Sequence, residues 1–237
     1  MNARILGRIV WKEYRVFRSF WLSLLVLVAC AQLLAAKVPY GYFHSAMALF
    51  GLAVGAAAFY AVGCCGAIFS TEHEEGTYDF LRTLPLTAPQ VYWGKVVLAV
   101  VSVAALLAVL WPIAVWGVEY ARLQKPPHWA SITWGLWGVA ILEAIAWGIL
   151  FSLLVARPLQ AVLLSVTTVS ILDHFLVSFV SDSQKMAFEA DAYLPVIPYR
   201  LTLAAAVFLL DVWLGRRWYT QRIAAHKSSV STWTLPR

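Results

Sequence analysis

Ionisable side chains are scarce in this chain, so their positions decide what chemistry it can do. Of 237 residues only 13% are charged, about half the share of a typical soluble chain. Some collect in the stretch Ser70–Lys95, STEHEEGTYDFLRTLPLTAPQVYWGK, which opens on Glu72, Glu74 and Glu75. Taken alone, such a cluster makes a solvated acidic turn. Others, Glu143, Asp173, His174 and Asp211, fall inside long apolar runs. A carboxylate there is a candidate functional group by default. Glu143 with Asp173 or His174 could relay protons, or Glu143 could join helices as a protonated or hydrogen-bonded acid. Asp211 lies near the inner end of its run, where it can reach the interface.

Catalytic chemistry finds little support. Glu74-Glu75 lacks the arginine four residues on that a glutamate-pair intramembrane peptidase needs, since Asp79 stands there. No Ser-Lys, paired-Asp or metal-binding pair lies in the apolar runs. The Gly94-Lys95 dipeptide is followed by Val96 and has no preceding glycine, so it is not a phosphate-cradling loop. No catalytic residue, metal or cofactor is expected. Cys30, Cys64 and Cys65 all lie in apolar segments, and two adjacent cysteines do not make an ordinary bridge.

The elements that position these residues follow from composition. With 62% hydrophobic residues and a mean hydropathy of +0.74, a soluble globule is excluded, and the expected fold is an all-α polytopic membrane protein. Six runs are candidate spans: Phe20–Ala36, Ala46–Phe69, Val96–Val118, Ile132–Val155, Ala161–Val180 and Val196–Gly215. All but the first hold roughly the 20 residues a bilayer requires. With both termini inside, thirteen lysines and arginines are inner, against Lys37, Arg122, Lys125, Lys185 and Arg200 outside. That split obeys the positive-inside rule, whereas five spans would leave the basic tail 216–237 outside. The net charge of +6 suits anionic lipid headgroups better than nucleic acid, because the basic residues flank the apolar runs.

Residues 1–19 place Arg4, Arg8, Lys12, Arg15 and Arg18 on one helical arc of about 120°, the pattern of an interfacial amphipathic helix. Glu13 projects into the opposite, apolar arc and calls for a basic partner. Leu27-Val28-Ala29-Cys30 has the small-residue pattern before a lipid-modified cysteine, but the basic lead is long for a signal peptide. Gly51 and Gly55 form a GxxxG that could pack the second span closely. Tryptophans such as Trp93, Trp111, Trp116, Trp129 and Trp218 cluster toward span ends, as interfacial anchors do.

The stretch from Ser70 to Lys95 reads as two short helices. Thr71 with Glu74, and Thr87 with Gln90, have capping-box spacing, and Gly76 and Pro85 punctuate the segment. Between the breaks Phe80, Leu81 and Leu84 share a face. A stub of this length does not fold unaided, so it must dock on something. The succession Glu72-His73-Glu74-Glu75-Gly76-Thr77, Leu81, Leu84-Pro85, Gly94-Lys95 resembles the permeases of ATP-binding-cassette (ABC) transporters of the type-2, exporter-like family. Trp11-Lys12-Glu13 before the first span is also similar to that family, whereas His73 stands where members often carry Arg.

The resemblance implies a single permease domain over 1–237, with an interfacial helix (1–19), a cytoplasmic coupling segment (70–95) and a basic cytoplasmic tail. Such a subunit pairs with a second permease copy or paralogue, and each rests on a separate cytoplasmic ATPase that hydrolyses the ATP. Residues Glu72, Glu74, Glu75, Gly76, Thr77, Phe80, Leu81, Leu84 and Pro85 are then the ATPase-coupling positions, and export across a cell membrane is the expected activity. The alternative on the residues alone is a proton-coupled secondary transporter using Glu143 with Asp173 or His174.

Overall fold

The computed structural model describes residues 3–37, 46–75, 87–121, 123, 130–180 and 196–230. These segments form seven helices: α1 (Ala3–Lys37), α2 (Ala46–Ala67), the short α3 (Ser70–Glu75), α4 (Ala88–Tyr120), α5 (Ala130–Leu154), α6 (Pro158–Val180) and α7 (Ile197–Val230). No strand occurs among the described residues. Six of the helices are long and apolar enough to cross a membrane. The protein is therefore an all-helical, multi-pass membrane protein.

The centre of the bundle is α2, which touches α1, α4, α5 and α6. Its sequence, AMALFGLAVGAAAFYAVGCCGA, is apolar on every side, the signature of a buried helix. Small residues let neighbours come close where hydrocarbon gives no hydrophobic drive to associate. Ala53, Ala57, Tyr60, Ala61 and Cys65 meet Ala99, Val103, Leu106 and Leu110 of α4 and Ala144, Ile145 and Ile149 of α5 in one core. One tight crossing on α2 is at Gly148 of α5, where an added Cβ would stand 2.7 Å from the Cβ of Cys65. The GxxxG pair does not supply this approach: a Cβ on Gly51 would find Trp137 at 3.6 Å, and nothing lies within 4 Å of one on Gly55.

Outward faces are apolar too. Leu159, Leu163, Ile171 and Phe175 of α6 and Val26, Leu27 and Leu34 of α1 are exposed, as lipid-facing side chains must be. Trp93 and Trp116 are exposed near the ends of α4, whereas Trp111 packs on Phe50, ring centroids 4.8 Å apart.

Several local expectations are met and several corrected. The break before α4 carries the expected capping box: the Thr87 amide donates to Gln90 Oε1 at 3.0 Å, and Pro89 sits in the first turn. Thr71 caps nothing; its hydroxyl donates back to the Ala67 carbonyl at 2.9 Å, as Ser70 does to Gly66 at 2.7 Å. These back-bonds carry the chain from α2 into α3 and use the hydroxyls that a cap would need. The basic lead is not a separate interfacial element, since α1 runs unbroken from Ala3 to Lys37. No helix breaker stands between Trp11 and Phe20, so the helix simply propagates. The last helix likewise continues past Gly215 to Val230, taking in much of the basic tail. The stub residues Gly76, Thr77, Phe80, Leu81, Leu84 and Pro85 lie outside the described residues, as do Trp129 and the side chains of His73, Glu75 and Trp218.

Candidate functional site

Lys95, on the first turns of α4, is fully buried, and its ammonium is the hub of one polar cluster. Its Nζ lies 2.7 Å from Glu13 Oε1 of α1 and 2.9 Å from Glu72 Oε1 of α3. It also donates to the Ile68 carbonyl at 2.9 Å and stands 5.6 Å above the Phe69 ring. An ammonium has three donors; two of them make hydrogen bonds, to Glu13 and Ile68. Glu13 is the carboxylate whose position in the apolar arc called for a basic partner, and Lys95 is that partner. Lys12, half-exposed on α1, approaches Glu72 Oε1 at 3.8 Å. Neither oxygen of Glu72 accepts an aligned hydrogen bond among the described residues, so charge rather than hydrogen-bond geometry holds it. Glu74, one turn on, is exposed.

This node, the inner one on the expected sidedness of the chain, changes the reading of the acidic turn. Glu72 is not solvated; its side chain is 2% exposed. Glu72 and Lys95 stand at the two ends of the Ser70–Lys95 segment, so their ion pair closes that segment onto α1 through Glu13. Sequence reasoning expected a basic partner for Glu13, but not that Glu72 would be buried beside the same base. It treated Lys95 only as half of a Gly-Lys dipeptide, although a lone lysine at the start of a long apolar run was the available signal.

A second node sits among α5, α6 and α7. The Arg200 guanidinium grips Glu143 with both edges: Nε donates to Oε1 at 3.0 Å and to Oε2 at 3.1 Å, and Nη2 donates to Oε2 as well. Its Nη1 reaches Asp173 Oδ1 at 2.8 Å. Arg200 and Glu143 are both buried, whereas the Asp173 side chain is 42% exposed. The bidentate fork is the strong form of this ion pair. Glu143 therefore does join helices, as a hydrogen-bonded partner of arginine. Arg200, expected at the outer interface, turns inward instead. His174 is exposed and makes no part of the node.

Two further buried polar groups remain, of which sequence reasoning missed Gln32 and misplaced Asp211. Gln32 of α1, 1% exposed, donates through Nε2 to Leu49 O at 3.0 Å and Leu110 O at 3.4 Å, tying α1 to α2 and α4. Asp211 of α7 does not reach an interface. It is fully buried, and neither carboxylate oxygen accepts a hydrogen bond among the described residues. The Tyr92 hydroxyl of α4 is also buried and unpartnered, and Tyr92 presses against Gly215, one turn after Asp211, so closely that a Cβ there would stand 2.5 Å from the ring. Among the described residues no group of three His, Cys, Asp or Glu side chains could hold a metal ion.

No protein-family model, curated protein or solved structure matches the chain. Its role is therefore argued from its own residues.

Proposed function

We propose that this protein is the membrane-spanning permease subunit of an ABC transporter, pairing with a second permease and resting on separate cytoplasmic ATPases to export a substrate. On this reading both termini are cytoplasmic and the membrane is the plasma or inner membrane. The observation that carries the proposal is the inner node. A loop that only connects two spans needs no buried anchor, yet here both ends of the Ser70–Lys95 segment are fixed to each other and to α1. A segment held in this way can pass a push from a soluble partner into three helices at once, which a freely solvated turn cannot do. The acidic-Gly-Thr, Leu-rich and Gly-Lys pattern supports the same reading, because Glu72 and Lys95 of that pattern are the residues that meet.

The decisive test is co-purification of the tagged full chain from its native membrane. A nucleotide-binding subunit should accompany it, and Leu81→Asp should sharply reduce the amount recovered while membrane abundance stays near normal, since an unpaired charge at a buried contact costs several kcal/mol. Undiminished export and partner recovery in Leu81→Asp would overturn the coupling role.

A second reading, a proton-coupled secondary transporter, has a specific observation behind it, though not the one the sequence suggested. Glu143 is committed to Arg200, but Asp211 is a fully buried carboxyl whose oxygens accept no hydrogen bond among the described residues, and an acid so placed inside a span is a functional candidate. Asp211→Asn separates the two readings. An ATP-driven permease should keep most of its transport, whereas a proton carrier should lose it, because an amide cannot titrate.

A further inference from the structure

Between the N-terminal half of α1 and the middle of α4, with α2 as its floor, lies a cavity of about 330 Å³. That is within the range of small-molecule sites. Its walls are mostly apolar, with Trp21 and Val101 prominent among them, and Tyr60 and Ser102 supply the few polar atoms of the interior. The Trp21 indole is already satisfied, donating to the Ser102 carbonyl at 3.0 Å, so it presents a fixed apolar plate rather than a hydrogen-bond donor. Glu13 and Arg18 also line the cavity. Of these two charges Glu13 is neutralised by Lys95. Arg18 is exposed and has no ion-pair partner among the described residues. The lining from Glu13 to Leu22 extends about 13 Å along α1 at the helical rise. The space is thus a short apolar slot flanked by one free guanidinium, in a protein whose surroundings are a bilayer.

We infer that this slot is a binding site for an anionic phospholipid, one acyl chain lying against Trp21 and Val101 and the headgroup phosphate meeting Arg18. The charge pattern selects this occupant. A cationic amphipath would be repelled by Arg18, and a zwitterionic one brings its own ammonium beside the phosphate and so offers no net negative charge, whereas a basic residue favours anionic lipid nearby by a factor of about five. The Glu13 side chain borders both the slot and the Lys95 ion pair, so an occupant contacts the inner node directly. The inference is independent of the ATPase reading and stands or falls by its own test.

The test uses the full chain in vesicles of phosphatidylcholine and phosphatidylglycerol, with the photo-crosslinking residue benzoylphenylalanine at Val101, which lines the slot, or at Leu163, an exposed position on α6. Mass spectrometry of the adducts should show phosphatidylglycerol enriched about fivefold over its share of the vesicle at position 101, and no enrichment at position 163. Arg18→Gln should return position 101 to the bulk ratio while adducts persist. Ala105→Trp, which fills the slot from α4, should remove most adducts at 101 without changing those at 163. A bulk ratio at 101 with Arg18 intact would overturn the proposal, as would enrichment that survives both Arg18→Gln and Ala105→Trp. Since Arg18 is exposed, loss of folding does not confuse its arm, and adducts at 163 report insertion of every variant.

Discussion

The two buried ion clusters have the same parts list, one base and two carboxylates joining three helices, yet they are built on different terms. In the Arg200 node, the outer one on the expected sidedness, the base is an arginine whose planar fork matches Glu143 edge to edge, and the second acid, Asp173, keeps much of its surface free. The buried part is a neutral pair with its hydrogen bonds satisfied, which is what a fixed clamp requires. In the inner node the base is a lysine, a point charge, and both acids are buried. Counted at formal charge, its buried part sets two carboxylates against one cation, and among the described residues the second cation is Lys12, 3.8 Å away at the rim. A clamp would not be made this way. An excess charge answered from the surface is sensitive to whatever approaches that surface, and the inner node is where the proposed ATPase and lipid contacts converge.

Removing each base sharpens the contrast most. Lys95→Met should leave two carboxylates buried without a cation, at a cost at or above about 3–5 kcal/mol, and membrane abundance should collapse. Arg200→Met strands only Glu143, because Asp173 can turn to solvent, so its loss should be smaller, as thermal unfolding in detergent would show. A larger loss at Arg200 would reverse the assignment of clamp and adjustable node.

A subtler change asks whether geometry or charge matters in each cluster. Arg200→Lys keeps the charge and discards the fork, and should cost about 1.5–3 kcal/mol, the worth of hydrogen bonds to a charged group. Unfolding midpoints in high salt should leave that loss in place, since the pair is buried and little screened.

The smallest effect is expected at the rim. Lys12→Gln removes a half-exposed pair worth at most about 1 kcal/mol in stability, so the folded protein should be almost unchanged. If the excess charge of the inner node is read by a partner, ATPase recovery or the salt dependence of transport should shift more than the unfolding midpoint does. Equal, negligible changes in both would make the inner node as inert as the outer one.

Much of this architecture was legible before any coordinates. Long uncharged runs dictate spanning helices because a bilayer leaves backbone amides no other partner, and all six appear. Glu13 was legible as a residue in need of a base, because a helical wheel fixes direction even when it cannot name the partner. Partners themselves were not legible. Glu143 and Arg200 are 57 positions apart, and only the packing of α5 against α7 brings them together. Arg200 near the start of its span looked like an interfacial side chain, since a long flexible stem can serve either end of that choice. Asp211 misled for the same reason in reverse: an acid near a span end can reach water only if no neighbour covers it, and this one is fully buried in a helix that packs on α5 and α4. The boundary between lead and first span was lost because a polar amphipathic stretch and an apolar one differ in surroundings, not in helical geometry.

That α1 is one rod has a mechanical consequence. It is fastened to α4 at three heights: Glu13 to Lys95, Trp21 to the Ser102 carbonyl and Gln32 to the Leu110 carbonyl. Glu13 and Gln32 lie about 28 Å apart at the helical rise. A rod riveted to its neighbour over that span cannot pivot against it, so a push at the Glu13 end moves α1 and α4 together, as one beam.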